Sequence, residues 1–215
     1  MGRSQAVYTE RIYWLGGSPC SGKSSVAALL AEQYGLALYA CDDHFPAHQA
    51  AATPAGQPTL HQLGQMSWDE IWLRPVPELV ARVIAIYREE FPLLLADLRA
   101  LAGDRPVLVE GAGLLPALLA SLAIEPGHTF YLVPTPAFQK TMYAQRPWVQ
   151  GILDQCREPE QAFANWMARD VAYGRWLATE AANCGFPVRP VAGDLNIAAT
   201  AVAVADAFQL AKPTT

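Results

Sequence analysis

One short stretch constrains this chain more than any other: GGSPCSGKSS, residues 16–25. Gly17, four intervening residues, Gly22, Lys23 and Ser24 satisfy the pattern G-x-x-x-x-G-K-[ST] without a departure. The run before it, RIYWLG from Arg11 to Gly16, is β-branched, aromatic and aliphatic, and predicts a buried strand. The run after it, KSSVAALLAEQYG, sets Val26, Leu29, Leu30 and Tyr34 at helical spacing and stops at Gly35, a residue suited to closing a helix. Strand, glycine loop and helix, in that order, make a cradle for phosphate. The loop residues Gly17, Ser18, Cys20, Ser21, Gly22, Lys23, Ser24 and Ser25 would surround a nucleotide's phosphates. Backbone N–H groups would point at the β-phosphate and Lys23 would neutralise charge toward the γ-phosphate. Ser24 would ligate magnesium. The plainer alternative is a glycine-rich turn with a solvated lysine.

Four further strands are predicted, at 36–42, 105–111, 128–134 and 186–193, each followed by a helical or loop segment. Strands alternating with helices argue for an α/β domain with a parallel sheet and right-handed crossovers. The interval between the second and third strands is far longer than an ordinary crossover and must carry structure of its own. Its first part, FPAHQAAATPAGQPTLHQLGQM, reads as a loop. Ser67 with Glu70 then forms a capping box, and a long helix is expected from about Pro77 to Leu101. That helix would carry Leu79, Val83, Ile86, Tyr87, Leu94 and Leu98 on one side, with Pro92 kinking or breaking it. An inserted segment (46–104) above the carboxyl edge of such a sheet is where a second substrate would be held, or else it is a packing layer.

Composition narrows the partners. A chain of 215 residues with net charge -5 and 16% charged residues is no nucleic-acid scaffold and no disordered tail, so a small-molecule partner is expected. The four cysteines form no C-x-x-C pair, so no zinc site is expected and a reduced, cytoplasmic setting is the simplest inference. MGRSQAVYTE lacks the apolar core of a signal peptide, Ala6 stands where myristoylation needs Ser or Thr, and IAATAVAVADAFQLA is too short to span a bilayer. Nothing in the sequence speaks to oligomeric state.

Several residues are candidates for chemistry. YACDDHF ends the second strand with Asp42 and Asp43, one of which could accept a proton from an attacking hydroxyl or help hold the magnesium shell. On a strand the two would face opposite ways, so only one would face the γ-phosphate. The third strand ends VLVEGAG, placing Glu110 as a magnesium-side or water-positioning acid, with Gly111 and Gly113 allowing a substrate close to the backbone or serving a tight turn. Cys20, inside a nest of backbone amides, is expected to have a depressed thiol pKa. His44 and His48 read as ordinary polar residues, with at most a substrate contact. Asp194 is expected to cap the last helix.

Taken together, GGSPCSGKSSVAALLAEQYGLALYACDD resembles the opening of small P-loop kinases of the shikimate kinase, gluconate kinase, chloramphenicol phosphotransferase and polynucleotide kinase kind. The resemblance implies a five-stranded sheet in order 2-3-1-4-5, ATP with magnesium, and transfer of the γ-phosphoryl group to a hydroxyl of a small acceptor. It favours Asp42 as the catalytic base. AQRPWVQGIL is similar to the Arg-Pro-Leu-Leu segment of shikimate kinases, which would lay Arg146 against the nucleotide and put Arg157 in a lid over 146–160. MARDVAYGRWLA resembles the helix after the lid, making Arg169 or Arg175 the residue that faces the acceptor. Lid arginines stabilise charge on the transferring phosphoryl group and exclude water as the lid closes. The adjacent acids Asp42 and Asp43, and EGAG in place of a triple glycine, depart from the shikimate kinase pattern. The competing expectation is a P-loop switch or NTPase that binds nucleotide without any small-molecule acceptor.

Overall fold

The computed structural model describes residues 11–101, 104–122, 124 and 126–211. The N-terminal stretch on which the signal-peptide and myristoylation readings fall lies outside the described residues. The elements in chain order are β1 (Ile12–Gly17), α1 (Lys23–Tyr34), β2 (Ala37–Ala40), α2 (Cys41–Ala51), α3 (Pro58–Leu63), α4 (Trp68–Trp72), α5 (Val76–Ala100) and β3 (Val107–Gly111). They continue with α6 (Pro116–Ser121), β4 (Thr129–Pro134), α7 (Pro136–Ala144), α8 (Pro147–Leu153), α9 (Pro159–Asn183), β5 (Val188–Val191) and α10 (Ile197–Ala207).

All strand pairs are parallel, and the order is β2-β3-β1-β4-β5, as the resemblance implied. Alternation along each strand divides the core between the two faces of the sheet. Trp14, Tyr39, Val109 and Tyr131 pack on one side with Leu94 of α5, Leu119 of α6 and Leu177 of α9. Leu15, Leu108, Phe130 and Leu132 pack on the other with Val26 and Leu30 of α1 and Val204 of α10. The helices after β1 and β3 therefore leave the sheet toward opposite faces. This opens a crevice between the carboxyl ends of those two strands, the place where such sheets bind ligands.

Two sequence expectations fail here, and one of the two alternatives for Pro92 falls. The stretch read as a loop contains α2 and α3, although Pro46 lies inside α2. Tertiary contact supplies what propensity lacked: His48 of α2 is buried between Glu90 Oε1 (3.0 Å) and Asp97 Oδ2 (3.1 Å) of α5. Pro92 does not break α5, which runs unbroken from Val76 to Ala100. Arg88, four residues before the proline, is exposed, so the carbonyl deprived of its helical partner is on the water-facing side. The last helix is capped by Asn196, whose side chain accepts from the Ala199 N–H at 2.8 Å, and not by Asp194. The capping box at α4 is present, with the Ser67 N–H donating to Glu70 at 2.8 Å and the Glu70 N–H to Ser67 Oγ at 3.3 Å.

Candidate active site

The glycine loop lies between β1 and α1 and has the backbone that its residues permit. Gly17 (φ 150°) lies against the Leu132 carbonyl, where a β-carbon would collide, and Gly22 (φ 78°) turns the chain into α1. Cys20 also takes a positive φ, 66°. Gly22 brings no side chain to cap α1, and no acidic residue stands in its first turn, so the helix N-terminus is open to an anion. Ser18 and Ser21 are buried with hydroxyls that have no hydrogen-bond partner among the described residues. Lys23 is buried at 6% exposure. Polar groups left in this state suit the phosphates of a nucleotide.

Glu110 stands at the carboxyl end of β3, 2% exposed, with its Oε2 unpartnered among the described residues. Burial pushes its carboxyl up; the Lys23 ammonium and a hydrogen bond from Ser24 pull it back, and Asp42 and Asp43 push it further up. Lys23, Ser24, Glu110 and Asp42 therefore share one electrostatic cluster, with Asp43 a weaker member. Among the described residues no group of three His, Cys, Asp or Glu side chains could hold a metal alone. Magnesium is ordinarily held by one or two protein oxygens together with phosphates, which Ser24 and Glu110 could provide.

The two aspartates stand in the first turn of α2, not on a strand, because β2 ends at Ala40. The strand-alternation argument therefore does not apply; helical rotation separates them instead. Both are exposed, but Asp42 lines a cavity of about 510 Å³ and Asp43 does not. The cavity is lined by α2, the end of α3, α4, α5 and Arg169 of α9. Gly113 lines it too, its missing side chain leaving room for the Tyr87 ring. The corresponding space at Gly111 is filled by Cys41 Sγ, so Gly111 serves packing rather than substrate approach.

The arginines separate into two groups. Arg169 lines the cavity, lies 4.9 Å from the centre of the Trp72 ring and pairs through Nε with Asp170 Oδ1 at 2.6 Å. Asp170 in turn accepts from the Tyr143 hydroxyl at 2.6 Å, and the Trp166 indole donates to Tyr143 at 3.2 Å. Burial pushes the Asp170 carboxyl up despite that pairing. Arg175 is exposed on another side of α9, six residues and more than one and a half turns away. Arg146 packs over the rings of Tyr143 and Trp148, and its charge reaches Cys20 in the loop. Arg157 is exposed, paired with Glu158 at 3.7 Å, and its backbone N–H donates to Asp69 of α4 at 2.7 Å.

The thiol of Cys20 is not depressed. Burial pushes it up, more than Arg146 and Lys23 pull it down, and Asp170 adds to the rise. Sequence reasoning also missed Glu90 and Arg82, both on the cavity wall, and the Asp170 network. Glu90 carried a signal: it falls four residues after Ile86 on the apolar stripe of α5, where a charge is out of place unless it has a partner.

No family model matches the chain, and no curated protein matches it. Among solved structures it is similar to a protein from Thermus thermophilus (17% identity, TM-score 0.46, covering 91% of this chain and 97% of that one). It is also similar to a gluconokinase from Sinorhizobium meliloti 1021 (14% identity, TM-score 0.44, 94% and 93% covered). A third likeness is to an uncharacterized protein from Eubacterium ventriosum (13% identity, TM-score 0.43, 93% and 99% covered). It is the strand order and the loop after β1, rather than these distant likenesses, that give the chain a small P-loop kinase fold.

Proposed function

We propose that the protein is an ATP-dependent phosphotransferase that moves the γ-phosphoryl group to a hydroxyl of a small-molecule acceptor. The observation that carries this reading is the position of Asp42, which lines the acceptor-sized cavity and belongs to the charge cluster of Lys23, Ser24 and Glu110. A nucleotide switch has no need of a second cavity lined by an acid of that charge cluster, whereas a transferase does.

In this reading the loop and Lys23 hold the ATP phosphates, and Ser24 and Glu110 hold magnesium, which supplies charge neutralisation at the phosphoryl oxygens. Asp42 takes the proton from the acceptor hydroxyl as its oxygen bonds to phosphorus and the bridging oxygen departs with ADP. Arg146, beside the loop, contributes positive charge on the nucleotide side. Arg169 faces the acceptor, held in place by Asp170 and Trp72. What supports the reading is that the loop, Glu110 and Asp42 follow β1, β3 and β2, whose carboxyl ends parallel pairing lines up.

Calorimetric titration with MgATP tests the nucleotide half. Wild-type protein should bind, and Lys23→Ala should lose at least about tenfold in affinity, since a buried cation facing phosphates is removed. Equal binding by both would remove the loop from the mechanism.

A further inference from the structure

Resting on that reading, we infer that the acceptor is an aromatic or otherwise largely apolar alcohol of drug-like size, and not a polyol or a sugar acid. The cavity's volume, about 510 Å³, falls within the range that encloses drug-sized ligands. One stripe of α5 forms its floor: Leu79, Val83, Ile86 and Tyr87 recur at spacings of three and four, so their side chains stack along one helix face. Phe45 of α2, Met66 just before α4 and Trp72 of α4 also line it, extending the apolar surface beyond that floor.

The charged groups on the wall are only partly engaged. Arg169 is ion-paired through Nε with Asp170 at 2.6 Å, and no hydrogen bond to the described residues occupies its terminal nitrogens. Arg82 donates to the Glu70 carbonyl at 3.0 Å and to the Ile71 carbonyl, closing the end of α4. Glu90 is bound to His48 at 3.0 Å. Asp42 alone among these charges has no hydrogen bond or ion pair to the described residues, and it stands at the phosphate end. A polyol buried here would turn most of its hydroxyls toward hydrocarbon, because Asp42, Gln49 and Arg169 are few polar groups beside the apolar wall. An alcohol with one reactive hydroxyl and an apolar body matches both the walls and the single free carboxylate.

The experiment uses the full chain with two panels of matched size: phenyl-, indolyl- and naphthyl-bearing alcohols, and polyols with sugar acids. Binding is read by calorimetry and transfer by ADP release with MgATP. Aromatic alcohols should bind, should stimulate ADP release, and should lose about tenfold in affinity in Phe45→Gln and in Met66→Gln. Both variants should keep wild-type affinity for MgATP, which verifies folding. Binding and phosphorylation of polyols or sugar acids in preference to aromatic alcohols would overturn the inference, and so would aromatic binding insensitive to both substitutions. Absence of aromatic binding in a protein that binds MgATP would also overturn it. Cavity binding of aromatic alcohols with no ADP release would uphold the ligand class and refute the phosphotransferase reading instead.

Discussion

In the proposed mechanism, Glu110 is a residue placed for chemistry at the expense of stability. It is a buried carboxylate whose pKa is raised first by burial, with Lys23 and Ser24 offsetting only part of that. A carboxylate whose folded pKa lies above its unfolded value destabilises the fold at any pH above the folded value, and the penalty fades as pH falls through that value toward the unfolded one. Glu110→Gln should therefore raise the unfolding midpoint at pH 8. The gain should shrink as pH falls and be small at pH 4, where the wild-type side chain is mostly protonated in both states. Phosphotransfer should fall by roughly tenfold or more in the same variant, because the magnesium-side charge is gone. Thermal unfolding across pH 4–8, with ADP release at pH 8, checks both. A midpoint lowered at pH 8 would mean that Glu110 is held by favourable contacts and is not a strained functional acid.

At the scale of the element, α9 depends on one buried ion pair. Asp170 is 1% exposed, its partner Arg169 comes from the adjacent position, and Tyr143 of α7 completes the arrangement. Breaking such a pair from one side leaves an uncompensated charge and costs about 3–5 kcal/mol, whereas removing the charge from both sides costs much less. Arg169→Met should lower the unfolding midpoint by about 10 °C, and Arg169→Met with Asp170→Asn should recover most of that loss, as measured by calorimetry. A double variant no more stable than the single one would mean that Arg169 stabilises through its stacking on Trp72. The same scale explains what the sequence hid. α1 was legible because Val26, Leu30 and Gly35 lie where a helix needs them. α2 was not, because Pro46 and its polar neighbours argue locally against a helix that His48 secures from α5. The cavity walls were invisible for the same reason: Phe45, Trp72 and Ile86 line one cavity only after three separate helices pack. Arg169 and Arg175 could not be separated until the rotation of α9 was known.

For the whole molecule, the sheet brings together what the chain keeps far apart. The glycine loop follows β1, Glu110 ends β3 and Asp42 follows β2, yet parallel pairing in the order β2-β3-β1 lines up their carboxyl ends. The fold class and the phosphate loop were readable because each rests on local pattern. The cavity is assembled from long-range contacts among α2, α4, α5 and α9, which no local pattern encodes. The central claim is that Asp42 joins the two halves as the base. It is tested most directly by following label from γ-labelled ATP into an alcohol acceptor at saturating MgATP, in wild type, Asp42→Asn and Asp43→Asn. Asp42→Asn should keep its nucleotide affinity and lose roughly a hundredfold in transfer, while Asp43→Asn loses little. Full transfer by Asp42→Asn, or label released only as free phosphate whatever alcohol is present, would contradict the account.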